Sequence, residues 1–280
     1  MKYETISIEK HDRVLLASWN RPEKLNAFNG LFFKEWIELL DAVNKDKTIG
    51  AIVCTGKGKA FSSGADVGEF ASASKGDKKV KEYWEKYQPV AFEAKRMTES
   101  KPIIGAINGL ALGAGLTCTF WFDFNLASTE AKFSMRFSKL GLTPELDSSW
   151  LLPKLIGLQK AKEMMLTGDI YTAQEALELG LVSRTYEPDK LVDAAINVAS
   201  RVAENPINTL KTIKQMTFQD MSTSDIKEIA TRSIDTFSSA RKSIEHKEAL
   251  LALRDKRKPK FHDQEHMQKI QNSNQKHNNE

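Results

Sequence analysis

Residues 5–8 and 14–19 are apolar and β-branched stretches flanking the polar Glu9-Lys10-His11-Asp12, a pattern that predicts a hairpin. Between 29 and 44, Phe32, Trp36, Leu39, Leu40 and Val43 recur at helical spacing behind Asn29, a residue type suited to capping. The run Gly50-Ala51-Ile52-Val53-Cys54-Thr55 then predicts a buried strand ending at Gly56-Lys57-Gly58. Two similar units follow: a helix over 81–98 with a strand over 102–107, and a helix over 113–122 with a strand over 124–127. This order of strand, turn and helix predicts stacked β/α units with parallel pairing.

Beyond residue 161 the pattern is mostly helical, over 161–167, 172–179, 189–203, 206–218, 224–237 and 240–253. Only the short 181–185 stretch offers strand material there, too little for a second sheet. The segment 262–280 is rich in Gln and Asn and nearly devoid of core residues, which predicts a frayed, disordered tail. A chain of 280 residues can bury one substantial core, and nothing before the C-terminus reads as a linker. The expected organisation is a core over 1–200, a helical region over 201–261 and the tail over 262–280.

Charge and composition narrow the function classes. Forty-one basic against 37 acidic residues give a net charge of +4, too small and scattered for a nucleic-acid platform but compatible with a small anionic, phosphate-bearing ligand. The start of the chain has no apolar signal segment, and no run approaches the roughly 18 apolar residues that span a bilayer, so a cytoplasmic protein is expected. Cys54 and Cys118 lie in separate apolar runs without metal-ligand spacing, which predicts free thiols in a reducing compartment and no metal site. The five histidines (His11, His246, His262, His266, His277) sit near the chain ends, against a Ser-His-Asp or Cys-His hydrolase. The final Asn278-Asn279-Glu280 is not a peroxisomal address.

Two small-residue segments carry the candidate chemistry: Phe61-Ser62-Ser63-Gly64-Ala65-Asp66 and Asn108-Gly109-Leu110-Ala111-Leu112-Gly113-Ala114-Gly115. Such residues let the main chain approach a ligand closely, so amide N–H groups from both segments could hold one oxygen that gains charge. The glycine spacing matches neither the dinucleotide fingerprint nor a P-loop, and Gly58-Lys59 leads into Ala60 where a P-loop needs Ser or Thr. Helix–strand packing accounts for the second segment alone about equally well. In Leu140-Gly141-Leu142-Thr143-Pro144-Glu145, a carboxylate follows an apolar run, the setting that turns Glu into a base near neutral pH. Capping of a helix starting near Ser148 is the structural alternative for Glu145, although Asp147 and Ser148 are better placed for it. Lys75-Gly76-Asp77-Lys78-Lys79 reads as a mobile loop beside the site or as a solvated helix start.

Together with Asn20-Arg21-Pro22-Glu23-Lys24-Leu25-Asn26-Ala27, Pro144-Glu145 and Ala173-Gln174-Glu175-Ala176-Leu177-Glu178-Leu179-Gly180-Leu181-Val182, these segments resemble the crotonase superfamily of enoyl-CoA hydratases and isomerases over about residues 3–261. The resemblance implies an α/β fold, a ClpP-like spiral of ββα units with a C-terminal helical region. It also implies an acyl-CoA thioester substrate in fatty acid metabolism, no cofactor beyond the coenzyme A of the substrate, and a homotrimer or dimer of trimers assembled through the C-terminal helices. Neither nucleic acid nor membrane is an implied partner.

By position, the resemblance makes Ala65 and Ala114 the amide donors to the thioester carbonyl. Lys24 and Ala27 match the stretch facing the adenine and phosphate end of CoA, Ser63, Gly64, Asp66 and Val67 match the pantetheine side, and Gly113 is a further CoA-binding position. The two glutamates of typical hydratases fall on Thr117 and Phe137, whereas Glu145 falls where the family's isomerases keep a single acid. The implied reaction is a Δ3-to-Δ2 double-bond shift with Glu145 as proton shuttle. The alternatives are hydration or another thioester-enolate reaction, and a non-catalytic acyl-CoA-binding relative. Leu146-Asp147-Ser148-Ser149 departs from the glycines that often follow the isomerase acid, and Asp147 is a rival base. Ile226, Ile229, Ala230 and Ile234 fit either an oligomer interface or an intrachain core, and Tyr83, Trp84 and Tyr87 either an acyl tunnel or ordinary packing.

Overall fold

The computed structural model describes residues 2–277. The chain divides into two compact units, Met1–Val202 and Ala203–Glu280. In the first, β1 (Ile6–His11) and β2 (Val14–Trp19) form the expected hairpin, with Asp12 turning at a φ of 51°. Helix α1 (Gly30–Lys45) starts where Asn29 Oδ1 accepts from the Phe32 N–H, and it is followed by β3 (Ala51–Gly56), β4 (Ala60–Ser62) and α2 (Val67–Ser74). Then come α3 (Lys78–Ala91), α4 (Ala94–Glu99), β5 (Ile103–Ile107), β6 (Leu110–Leu112) and α5 (Ala114–Thr117). The strands β7 (Phe124–Ser128) and β8 (Lys132–Ser134) precede α6 (Ser148–Ile156), α7 (Leu158–Thr167), β9 (Tyr171–Thr172), α8 (Ala173–Glu178), β10 (Arg184–Tyr186) and α9 (Leu191–Ala203).

The strands form two sheets where the hydropathy pattern predicts one. A six-stranded sheet runs β1-β2-β3-β5-β7-β10, all parallel beyond the first hairpin, and a four-stranded sheet runs β4-β6-β8-β9. Successive pairs β3/β4, β5/β6 and β7/β8 each give one strand to each sheet, so the repeating unit is ββα, the crotonase spiral. The second sheet escapes sequence reading because β4, β6 and β8 are only three residues long, below the length at which alternation is visible.

Other departures have local causes. The helix expected over 81–98 is two helices, α3 and α4, parted at Phe92-Glu93; Phe92 turns into the core and stacks on Trp36 with centroids 5.7 Å apart. The helix expected over 113–122 tightens after Thr117 into a 3-10 turn, Cys118–Trp121. Of the two readings of the Lys75–Lys79 run, the helix start is the one realised: Asp77 Oδ1 accepts from Val80 N–H at 3.2 Å, capping α3.

The core is aromatic where α1 meets the large sheet. Trp19 meets Phe32 edge-on at 5.0 Å and Trp36 at 5.3 Å, while Phe28 stacks on Phe32 at 4.0 Å. These rings are essentially inaccessible to solvent, which stabilises each by about 1.5–3 kcal/mol in transfer terms.

The second unit contains α10 (Ile207–Ser222), α11 (Ile226–Arg241), α12 (Ile244–Arg254) and α13 (Gln264–His277). The last lies where a frayed tail is expected. Its first turn is fixed by a carboxylate: Glu248 on α12, fully buried, accepts from both terminal nitrogens of Arg257 (2.6 and 2.9 Å) and from the Lys260 N–H (2.7 Å), and contacts His266 Nε2 at 2.7 Å. Residues 278–280, including the C-terminal tripeptide, lie outside the described residues. No buried residue falls on α11, and Ile226 and Ile234 are exposed, so these apolar positions do not form an intrachain core. No described helix is long and apolar enough to cross a membrane.

The hydrogen bonds from Arg257 hold the Glu248 carboxyl down at about 2 against the opposing effect of burial, with further help from His266 and the Lys260 amide. Because the folded value lies below the unfolded one, this contribution is complete above about pH 4.5 and is lost as pH falls toward 2. Glu248→Gln is therefore expected to destabilise the protein at pH 7 by about 3 kcal/mol and to make little difference near pH 2, as read by denaturant unfolding at the two pH values.

Candidate functional site

Pairing of β4 with β6 brings together the two small-residue segments. Ala60 registers with Leu110 and Ser62 with Ala111, with an irregularity between Ala60 and Ser62, so the turns leaving both strands emerge side by side. The approach is too close for side chains. A Cβ on Gly64, whose φ is +96°, would stand 2.7 Å from Leu112 O and 3.4 Å from Ala114 N; one on Gly115 would stand 2.4 Å from Ser62 O. Glycine at both positions is thus a steric requirement of the convergence.

The first segment is tied back to the aromatic core by the main chain of Phe28. Its N–H donates to Gly64 O at 2.7 Å and its carbonyl accepts from Asp66 N–H at 2.8 Å, which leaves the intervening Ala65 N–H turned away from that bridge. In the second segment Ala114 is the first residue of α5, where an amide has no intrahelical acceptor. Among the described residues, the N–H groups of Ala65 and Ala114 make no protein hydrogen bond. Two free amides on adjoining turns form a ready hydrogen-bond site for one oxygen.

The neighbouring positions are firmly braced. Arg21 donates to Ala27 O at 2.6 Å and to Asp66 Oδ2 at 2.9 Å. Against the raising effect of burial, Arg21 and the Glu69 and Gly68 amides hold the Asp66 carboxyl below its usual range. Asp66 is thereby the cap of α2. Ser63 Oγ donates to Lys24 O at 3.4 Å, Lys24 itself is exposed, and Val67 is 73% exposed. Asn26 was not among the sequence candidates, yet its amide donates to Lys57 O and Ala60 O while its Oδ1 accepts from Arg21 N–H, joining the Arg21–Ala27 loop to β4. It adopts a left-handed φ of 54°, which Asn tolerates, and its place inside the Asn20–Ala27 motif is the available sequence signal.

Glu145 lies close to the turn that continues α5, near enough for its charge to bear on the Cys118 thiol, which burial already pushes well up. On the same side, Trp121 Nε1 donates to Leu146 O at 3.1 Å. Burial raises the Glu145 carboxyl above the usual carboxylate range. Gln88 Nε2, from α3, donates to its Oε2 at 3.2 Å. The Phe137 ring packs over Gly113, with its nearest atoms 3.8–3.9 Å from where a Cβ would sit, and Thr117 is buried with its hydroxyl turned back to Ala114 O. Cys54 and Cys118 are both free and buried, and no group of three His, Cys, Asp or Glu among the described residues could hold a metal ion.

The capping alternative for Glu145 is not realised. Asp147 occupies the N-cap position of α6, though neither it nor Glu145 makes a side-chain cap bond, and the Ser148 hydroxyl is buried without a partner. Asp147 itself is exposed, whereas Glu145 is half-buried. Tyr83, Trp84 and Tyr87 sit on α3: Tyr83 packs against Gly30, and the Trp84 indole meets Phe33 edge-on at 5.2 Å and donates to Glu69 Oε2 at 3.1 Å. Tyr83 and Trp84 thus dock α3 onto α1.

Leu146 and Asp147 both adopt left-handed backbone, with φ of 51° and 57°, at the positions where glycine would be unstrained. Asp147→Gly is expected to leave stability unchanged or raise it by up to about 1 kcal/mol. Asp147→Val, which cannot enter this region cheaply, is expected to be less stable than Asp147→Gly by about 1–2 kcal/mol in urea unfolding.

Comparison with known proteins agrees with this geometry. The family model for Enoyl-CoA hydratase/isomerase matches residues 9–264. A probable enoyl-CoA hydratase from Rhizobium meliloti is 37% identical over 203 residues, covering 72% of this chain and 77% of that protein. A 1,2-epoxyphenylacetyl-CoA isomerase from Escherichia coli is 32% identical over 254 residues, covering 89% and 94% respectively. The crystal structure of an enoyl-CoA hydratase from Bacillus anthracis superposes with a TM-score of 0.85 at 27% identity, covering 92% of this chain and 99% of that one. Two sheets fed alternately by ββα units, and a family match over nearly the whole chain, lead to one conclusion: this chain belongs to the enoyl-CoA hydratase/isomerase family of the crotonase superfamily.

Proposed function

We propose that this protein is a Δ3-Δ2-enoyl-CoA isomerase in which Glu145 is the sole proton carrier. The observation that carries this reading is one half-buried carboxylate, raised above its usual range by desolvation, where the two hydratase acid positions hold Thr117 and Phe137. In this reading the substrate thioester oxygen accepts from the Ala65 and Ala114 N–H groups. Glu145 takes a proton from C2 of the 3-enoyl chain, electrons flow into the thioester, and the resulting dienolate is stabilised by both amides. Return of the proton from Glu145 to C4 completes the shift, so the carboxylate is regenerated without any other co-reactant. Lys24 and Ala27 then face the adenine and phosphate end of CoA, Ser63, Gly64, Asp66 and Val67 its pantetheine side, and Gly113 is a further CoA-binding position. Coenzyme A enters as part of the substrate.

Hydration is the second reading, favoured by the hydratase name of the Rhizobium relative. It requires activating and orienting a water, work that Thr117 and Phe137 cannot do as acids or bases at neutral pH. The two readings separate in one assay series. Purified protein is expected to isomerise 3-hexenoyl-CoA much faster than it hydrates crotonyl-CoA, and Glu145→Gln is expected to lower isomerisation by at least about 100-fold with little change in CoA-ester affinity. A hydration rate equal to isomerisation, or near-normal turnover in Glu145→Gln, would overturn the assignment.

Exposed Ile226, Ile234 and Phe237 on α11 support assembly into a homotrimer or dimer of trimers. Sedimentation equilibrium is expected to give three or six times the chain mass; a monomer at micromolar concentration would contradict it.

A further inference from the structure

A carboxylate that moves a proton between two carbons does so through one of its two oxygens, and a hydrogen bond to the other sets which one is free. Among the described residues, one side chain hydrogen-bonds the Glu145 carboxylate: Gln88, whose Nε2 donates to Oε2 at 3.2 Å across 57 residues of sequence. Among the described residues Oε1 has no protein donor. Gln88 comes from α3, and α3 is fixed in position by contacts independent of Glu145. A Cβ on Gly30 would stand 2.7 Å from Tyr83 Cβ, so the start of α1 and the second turn of α3 touch backbone to side chain. Glu69 Oε2 accepts from both Gly30 N–H (3.0 Å) and Trp84 Nε1 (3.1 Å), binding α1, α2 and α3 at one point. Gln88 is one turn beyond Trp84, on the same helical face, so the docking that seats Trp84 also aims Gln88.

We propose that Gln88 is the positioning residue of the proton shuttle: it holds Oε2 of Glu145 and thereby assigns Oε1 as the atom that takes and returns the proton. The inference rests on, and deepens, the isomerase reading. A primary amide suits the task chemically. Its NH2 donates to Oε2 of the ionised carboxylate and can go on doing so when Oε1 carries the proton, because Oε2 is then the carbonyl oxygen of the acid, so the contact can persist through both protonation states. A lysine there would pin the carboxylate in its charged form, and a second acid would share its proton. Donation by Gln88 also favours the charged, proton-accepting form against the cost of burial, so the base remains available in its apolar setting.

The test compares Gln88→Met, which keeps the length and removes the donor, with Gln88→Glu, which adds a competing acid. The first readout needs no turnover: the Glu145 carboxyl is titrated by NMR in protein labelled with 13C-carboxyl glutamate, its resonance assigned by its absence in Glu145→Gln. Loss of the donor disfavours the carboxylate, so Glu145 is expected to titrate about one pH unit higher in Gln88→Met, a tenfold change in proton affinity, and higher still in Gln88→Glu. The second readout is kinetic. The acid limb of kcat/KM for 3-enoyl-CoA is expected to move up in parallel and kcat at pH 7 to fall about 3- to 10-fold, with KM within about twofold of wild type. A purely structural role would lower the melting temperature and leave the titration and the acid limb unmoved. Unchanged Glu145 titration in whichever variant is folded by near-ultraviolet circular dichroism overturns the inference. If titration shifts but wild type does not isomerise, the isomerase reading fails while the Gln88–Glu145 coupling stands; if wild type isomerises and Glu145→Gln does not, yet the titration is unmoved, this inference alone fails.

Discussion

The site depends on one close approach: the ends of two three-residue strands, β4 and β6, meet so tightly that neither Gly64 nor Gly115 has room for a Cβ. Because the strands are parallel and in the same small sheet, the turns that leave them point the same way. Each turn exposes one amide that secondary structure does not consume, Ala65 beside the Phe28 bridge and Ala114 at the first turn of α5. Neither amide is a site alone, and their adjacency is what creates one. That adjacency is maintained from behind by the aromatic core, since the Phe28 whose backbone clamps Gly64 and Asp66 is stacked by its ring on Phe32.

Against this rigid pair stands a region where the chain departs from its most comfortable geometry. Glu145 is a half-buried acid raised by desolvation, and the two residues after it are non-glycines in left-handed backbone. Each such residue costs about 1–2 kcal/mol relative to right-handed geometry, a sizeable amount beside a total stability of about 5–15 kcal/mol. The surrounding bonds hold the conformation: Trp121 donates to Leu146 O, and the Asp147 carbonyl accepts from Trp150 and Leu151 at the start of α6. Strain and a desolvated carboxylate thus fall in the same three residues, and neither improves folding.

In the helical unit the organising element is again a carboxylate, here serving structure. Glu248 is fully buried and fully partnered, and its ligands come from Arg257, Lys260 and His266, residues that precede or open α13. Charge burial is tolerable because every acceptor position is met by a donor. The contrast with Glu145 is instructive. Glu248, ringed by Arg257, His266 and an amide, is pulled down, whereas Glu145, with one neutral amide, is pushed up.

The sequence by itself determined the elements whose signal is local. The hairpin, the amphipathic α1 with its Asn29 cap, and the buried strands of the large sheet are all read from periodicity and capping chemistry. The small-residue segments and the family motifs identified the superfamily and singled out Glu145, Ala65 and Ala114 by position. Tertiary structure decided whatever needed two distant segments at once. The second sheet is built from strands too short to carry a pattern, α13 is anchored by a carboxylate 18 residues upstream of His266, and Gln88 reaches Glu145 across 57 residues through the docking of α3 on α1. Local propensity fixes which residues turn, extend or coil, because those preferences act within a few residues. Which backbone amide is left free, and which carboxylate is desolvated, depends on atoms brought from elsewhere in the chain, and only packing supplies them.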